Sequence, residues 1–223
     1  MTQTMVVRKD RTVVMDQSVK FWDRNAERYS QQPVADEAAY QKKLQVTREY
    51  LQPDMEVLEF GCGTGSTAIT HAPYVKHIQG IDISSKMIAI AQGKADANNV
   101  ANVSFKRSTI DEFSVTDQTL DAVLGLSILQ LLENKEEIIA KVYRMLKPGG
   151  IFVTSTVCLG DTMMRLLKLI VPIGRFFGLM PLVKIFTTRE LEDRFTAAGF
   201  QIEYQWQPGK GEAVFMVAKK AAE

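Results

Sequence analysis

The stretch Val57-Leu58-Glu59-Phe60-Gly61-Cys62-Gly63-Thr64-Gly65 carries the most legible chemistry in this chain. It follows one apolar run and opens a helical pattern. Glycines let the backbone turn sharply and leave it bare, so that a ligand can lie directly against it. Twenty-one residues beyond Gly61, Asp82 ends the next apolar run. A carboxylate there can accept hydrogen bonds from both hydroxyls of a ribose, in the crevice at the carboxyl ends of the strands of an open α/β sheet. A strand, a glycine loop, a helix and then an acid together point to nucleotide-type binding rather than to a structural turn. The loop spacing is Glu-x-Gly-x-Gly-x-Gly. A dinucleotide loop has Gly-x-Gly-x-x-Gly, and a phosphate-cradling loop has a lysine that this loop lacks.

The other reactive side chains read differently. Cys62 inside the loop is either a nucleophile or a small residue at a tight turn, and the second reading is preferred. His71 and His77 flank the first crossover helix and read as surface or strand-edge residues. With two Cys and two His, and neither C-x-x-C nor H-x-x-x-H spacing, neither a structural zinc site nor a disulfide framework is expected. No metal is called for, and no catalytic residue is assigned.

The elements that must position the loop follow from periodicity. Val19, Trp22, Ala26 and Tyr29 share one helical face, and Pro33 ends that segment. Tyr40, Leu44, Thr47 and Leu51 do the same before Pro53. Strands are predicted at Met55–Phe60, His77–Asp82, Asn102–Phe105, Leu120–Leu126 and Ile151–Thr156, with helices between them. One helix starts at Ser84. Another starts at Asn134, where Asn134 and Glu137 form a candidate capping box. Lys147-Pro148-Gly149-Gly150 reads as a stop and turn. Strands alternating with helices imply a parallel sheet covered on both faces. Thr187 with Glu190 caps a last helix that Gly199 ends. Gln201–Gln207 and Glu212–Lys219, joined by a four-residue turn, must pair antiparallel.

A chain of 223 residues suits one domain. We divide it into a helical cap over 1–52, a cofactor-binding core over 53–157, a hydrophobic insertion over 158–187 and a C-terminal helix and hairpin over 188–223. A formal net charge of +1 gives no global field to attract nucleic acid. No signal-like leader or membrane-spanning apolar run is read, so a cytoplasmic location is expected. Oligomeric state is left open.

The glycine loop with Asp82 resembles motif I of the class I S-adenosylmethionine-dependent methyltransferases. Asp82-Ile83-Ser84-Ser85-Lys86-Met87-Ile88, Val103 to Ile110, Leu120-Asp121-Ala122-Val123 and Met145 to Gly150 resemble its later segments in order. The resemblance runs from about Phe21 to the C-terminus. It implies a Rossmann-like, seven-stranded, mostly parallel α/β sheet with an antiparallel C-terminal strand and a helical N-terminal cap. It also implies S-adenosylmethionine as cofactor and assigns its site. Glu59, Gly61, Gly63 and Gly65 face the methionine portion, Asp82 takes the ribose, and Ile83 and Met87 flank the adenine. Thr109 and Ile110 stand where many members have Asp-Ala, and Leu126 lies at the mouth of the fourth strand. Tyr29, on a lead-in helix like that of many small-molecule members, either covers the cofactor or packs with Trp22 on the core. Many members carry a His in the stretch occupied here by Leu129-Gln130-Leu131-Leu132. The Asn/Asp-Pro-Pro-Tyr/Phe sequence of nucleic-acid methyltransferases is replaced by Gly125-Leu126-Ser127-Ile128. The implied function is methyl transfer, and the apolar segment described next points to a small, hydrophobic or lipid-like acceptor. The rivals are an NAD-dependent oxidoreductase and a cofactor-binding, non-catalytic regulatory scaffold.

Sixteen of the 24 residues from Met163 to Phe186 are apolar, and the charged ones, Arg165, Lys168, Arg175 and Lys184, are all basic. The segment reads as a pocket roof, as a peripheral membrane contact, or as a pair of core-packed helices whose basic residues reach solvent. The roof is favoured because Pro172, Gly174, Gly178 and Pro181 break any long surface helix. The expected outcome is negligible co-sedimentation with neutral or anionic vesicles, with Phe176→Ala or Phe177→Ala changing acceptor selectivity. Salt-sensitive binding to anionic vesicles alone, lost on neutralising the four basic residues, would establish the membrane reading instead.

Overall fold

The computed structural model describes residues 2–162, 183–209 and 211–222. The expected roof at 163–186 therefore lies outside the described residues, apart from its last four. Seven strands form one sheet in the order β3-β2-β1-β4-β5-β7-β6. They are β1 Glu56–Phe60, β2 His77–Asp82, β3 Val103–Arg107, β4 Leu120–Leu126, β5 Leu146–Val157, β6 Phe200–Trp206 and β7 Ala213–Lys220. β1 to β5 run parallel, and β7 is antiparallel to both β5 and β6. The reversed strand thus sits one place in from the edge.

The described helices are α1 Thr2–Gln31, α2 Glu37–Glu49, α3 Ser66–His71, α4 Ser85–Ala97, α5 Lys135–Met145 and α6 Thr188–Ala197. The central strands are apolar on both faces because helices cover both. On the side of α5 and α6, Phe60, Phe152, Phe195 and Phe200 meet in one core. On the other side, Val57, Ile78, Leu124, Val153 and Phe215 form a second. The chain builds outward from β1 through β2 to β3, then returns to place β4 on the other side of β1. The loops after β1 and β4 therefore diverge, which opens a crevice at their carboxyl ends.

Three local expectations are corrected. Asn134 stands at the α5 N-cap, but its side chain makes no capping bond. Its amide instead donates to Asp111 Oδ1 at 2.7 Å and Glu137 Oε2 at 3.2 Å. By contrast, Thr187 and Glu190 form both halves of their capping box. Lys147–Gly150 does not precede β5 but lies within it. Leu120 pairs with Leu146 while Ala122 pairs with Ile151, so the turn is extruded as a bulge between two paired ends. His71 is neither on the surface nor at a strand edge: it is fully buried, on the α3 face that also buries Ala68.

Phe152 ties the first core together, with ring centroids 6.0 Å from Phe60, 5.3 Å from Phe195 and 5.9 Å from Phe200. Phe152→Ala should cost about 3–5 kcal/mol, read as a lower urea midpoint with an unchanged slope.

Candidate functional site

The glycine loop leaves β1 at Phe60 and enters α3 at Ser66. Gly61, Gly63 and Gly65 all take left-handed backbone angles, with φ of 65°, 53° and 74°. Their surroundings differ. A Cβ on Gly61 would meet Ile128 Cγ1 at 2.7 Å, and one on Gly65 would meet Phe105 at 2.6 Å and Ala91 at 2.8 Å. Those two glycines allow packing. A Cβ on Gly63 would meet only Tyr29 Cε1, at 3.7 Å. Gly63 is therefore the one of the three at which a β-carbon would meet no clash, only the Tyr29 ring at ordinary contact distance.

Asp82 ends β2 beside the loop. Its Oδ2 accepts the Gly63 N–H at 3.0 Å, and its Oδ1 accepts the Ser84 N–H at 2.9 Å. Each oxygen keeps a further lone pair for a ligand hydroxyl. Burial pushes the Asp82 pKa up, and the backbone donors at Ser84 and Gly63 oppose that push.

Above these residues lies a cavity of about 810 Å³. Of the residues assigned from sequence, Tyr29, Gly61, Gly63, Asp82, Ile83, Met87, Thr109, Ile110 and Leu126 line it together. Glu59 and Gly65 do not reach its wall. Gly65 is the α3 N-cap, and Glu59 is buried within β1 at 3% exposure. Sequence reasoning missed Met15, Asp16 and Ser18 on α1, and Leu131 to Asn134 after β4. The signal for Met15 was present, since it falls four residues before Val19 and seven before Trp22 on the same helical face. Trp22 and Tyr29 stand edge to face, 6.1 Å apart, and both line the cavity. Ala26 between them is the residue of that face that enters the core.

Two acidic groups sit behind the loop. The Cys62 thiol is pushed well up, by burial first and then by the nearby Glu59 and Asp82 carboxylates, so it remains a neutral thiol. Glu59 Oε2 is buried without a hydrogen-bond partner. Both cysteines are free, and among the described residues no group of His, Cys, Asp or Glu is placed to hold a metal ion. Among the described residues, no helix is long and apolar enough to cross a membrane.

Known proteins resemble the chain in this region. A family model described as a methyltransferase domain matches residues 51–181. An uncharacterized methyltransferase of Bacillus subtilis is 27% identical over 131 residues, which cover 59% of this chain and 51% of that one. A ubiquinone biosynthesis O-methyltransferase of Rickettsia bellii is 32% identical over 104 residues, 47% of this chain and 42% of that one. The chain's matches span about half or less of the length of such curated relatives. The crystal structure of the Bacillus subtilis YcgJ protein shares the fold, with a TM-score of 0.68 at 17% identity over 82% of this chain and 100% of that one.

Glu59 generates a prediction about pH. Burial raises its pKa from 4.5 to about 8, the Ala68 N–H opposes the rise, and the Asp82 charge adds to it. An acid whose folded pKa lies above its unfolded one binds more protons in the native state across that window. The protein is therefore stabilised by this group below about 4.5, and that stability is lost as pH rises through about 8. Glu59→Gln removes the effect. Urea midpoints measured across this range should show the variant gaining on the wild type as pH rises, with the difference levelling off above the Glu59 pKa. Parallel curves would show that Glu59 is already ionised in the folded protein.

Proposed function

The chain belongs to the class I S-adenosylmethionine-dependent methyltransferase family, and from that premise we propose that it transfers the cofactor's methyl group to a small, hydrophobic or lipid-like acceptor. The observation that carries the reading is the pairing of Asp82 with Gly63: a carboxylate and a bare backbone joined by one hydrogen bond at the floor of the cavity. The residues present fit the cofactor. The space that a Cβ on Gly63 would fill suits the close approach of the methionine portion, Asp82 suits the ribose, and Ile83, Met87 and Ile110 offer apolar surface to the base.

When bound, S-adenosylmethionine supplies an electrophilic methyl group on a sulfonium, so the protein needs no nucleophile of its own. The neutral Cys62 thiol agrees with that. What the chain supplies is position and a dry wall. Val19 and Trp22 from α1 and Ile128, Leu131 and Leu132 after β4 all line the cavity, and on this reading such apolar side chains would keep water from the acceptor's nucleophilic atom. The apolar wall supports the hydrophobic acceptor, and the name of the ubiquinone biosynthesis relative agrees with a lipid-like one. No residue is assigned as general base; the acceptor brings its own nucleophile. We place this activity in the cytoplasm, acting on a small molecule and not on nucleic acid. The hydride-transfer alternative is disfavoured by the loop spacing. A non-catalytic scaffold is the reading that turnover decides.

Calorimetry should show binding of S-adenosylhomocysteine and none comparable of NAD. Asp82→Ala should weaken it by roughly 1.5–3 kcal/mol, the worth of hydrogen bonds to a charged group. Gly63→Val, checked for fold by circular dichroism, should abolish it, because a branched side chain then occupies the bare face. Cofactor turnover is expected with apolar acceptors. Tight NAD binding without a response to S-adenosylhomocysteine would overturn the cofactor assignment, and binding without turnover on any acceptor would favour the scaffold.

A further inference from the structure

α1 contributes Met15, Val19, Trp22 and Tyr29 to the cavity lining, and Tyr29 Cε1 lies 3.7 Å from where a Cβ on Gly63 would sit. A ligand that lies on the Gly63 backbone therefore has to lie against that ring. Tyr29 itself is 48% exposed, so little packing from outside holds it down. A chain of hydrogen bonds connects this helix to the cavity floor. Asp23, next to Trp22 on α1, accepts the Ser84 hydroxyl proton at Oδ1 over 2.6 Å and the Lys86 N–H at the same oxygen over 3.3 Å. Ser84 is fully buried. Its Oγ accepts the Met87 N–H at 3.1 Å, which caps α4, and its own N–H goes to Asp82 Oδ1. Asp82 Oδ2 then takes the Gly63 N–H. The path from the cavity wall to its floor is therefore unbroken: Asp23, Ser84, Asp82, Gly63.

The energetics favour a specific role for Asp23. Its carboxylate lies at the N-terminus of the 13-residue α4, where the helix dipole and the free N–H groups of the first turn attract an acceptor. By accepting the Ser84 hydroxyl proton it turns that oxygen's lone pair toward the Met87 N–H, so the two bonds strengthen each other. Ser84 cannot rotate away without losing both, and its backbone N–H orients the acid assigned to the ribose.

We infer that Asp23 is a positioning residue that latches α1 over the bound cofactor and, through Ser84, holds Asp82 in place. α1 must lift from the start of α4 for the cofactor to enter or leave, and the Asp23–Ser84 bond sets how readily it does so. This rests on the cofactor site proposed above.

The test is the dissociation rate of S-adenosylhomocysteine from the full chain, followed by the fluorescence of Trp22 in a Trp206→Phe background. Asp23→Ala should speed dissociation roughly tenfold or more, as expected for losing a charge-assisted hydrogen bond made only in the closed form. Ser84→Ala, which cuts the same bond from the other side, should do likewise. Asp23→Asn keeps an acceptor oxygen and should restore most of the slow rate. Hydrogen exchange supplies the readout that a merely structural role would not move. S-adenosylhomocysteine should protect the amides of residues 16–31 in the wild type and fail to protect them in Asp23→Ala. Equal dissociation rates and equal protection in wild type and Asp23→Ala would overturn the latch while leaving the cofactor site standing. A wild type that does not bind S-adenosylhomocysteine at all would remove both.

Discussion

The Gly63 N–H bonds to Asp82 Oδ2 at 3.0 Å, and in doing so joins the loop after β1 to the acid that ends β2. Most of the site's geometry follows from what this bond requires. The parallel register of β1 on β2 sets Phe60 beside Ile81, so the next residues on each strand, Gly61 and Asp82, emerge together. A slip of one residue would send the carboxylate to the other face of the sheet. The loop must then bend back far enough to present an N–H to it, which takes left-handed φ values at Gly61, Gly63 and Gly65. A β-carbon at any of the three would be strained, costing about 1–2 kcal/mol each. At Gly61 and Gly65 it would also collide with side chains packed from β3, α4 and the turn after β4. The strand register, the loop and the packing around it thus converge on one acceptor.

The electrostatics of the same region share a single cause. Glu59, Asp82, Cys62 and Tyr29 are all pushed toward their protonated forms, each mainly by loss of water, and the two carboxylates reinforce the effect on their neighbours. A site arranged in this way gains when a positive charge arrives, because the cation offsets the desolvation that the carboxylates bear. On the proposed reading that charge is the cofactor's sulfonium and ammonium.

How much of this was legible in the sequence depended on how local the cause was. β2 and β4 fall where the apolar runs and their flanking residues put them, and Asp82 and Gly63 are recognisable because glycine and an acid at that spacing have few other uses. The Thr187–Glu190 box forms because both of its partners lie within one turn. Asn134 fails where Thr187 succeeds because a distant partner, Asp111, competes for its side chain. The bulge at Lys147–Gly150 is invisible locally, since only pairing with Leu120 on one side and Ala122 on the other shows that the strand resumes. His71 is buried because α2 covers α3, a packing that helical spacing alone does not announce. It stays neutral, its pKa lowered to about 4 by burial and by Arg48. The contribution of α1 was only half visible. Its apolar face was readable, but the role of Asp23 depends on Ser84, 61 residues away.

The turn after β3 shows how a departure from the family pattern is absorbed. Thr109, which stands where many relatives have an acid, does not direct its polar side chain solely to the cavity. Its hydroxyl accepts the Glu112 N–H at 3.0 Å, and Glu112 Oε2 accepts the Thr109 N–H at 3.4 Å, which closes a small reciprocal turn. Lys141 locks that turn from behind, donating to the carbonyls of Ile110, Asp111 and Phe113 at 2.8, 2.8 and 2.6 Å. Three bonds from one ammonium thus brace this stretch of backbone. The Ile110 carbonyl already accepts from Lys141, and on the proposed reading the Ile110 N–H is the backbone donor that this residue would offer to the cofactor's base. An N–H meets a ring nitrogen of adenine rather than its amino group. On the proposed reading, this turn would meet the base with a donating backbone in place of an accepting side chain, and Lys141, outside the cavity wall, would hold that donor in place.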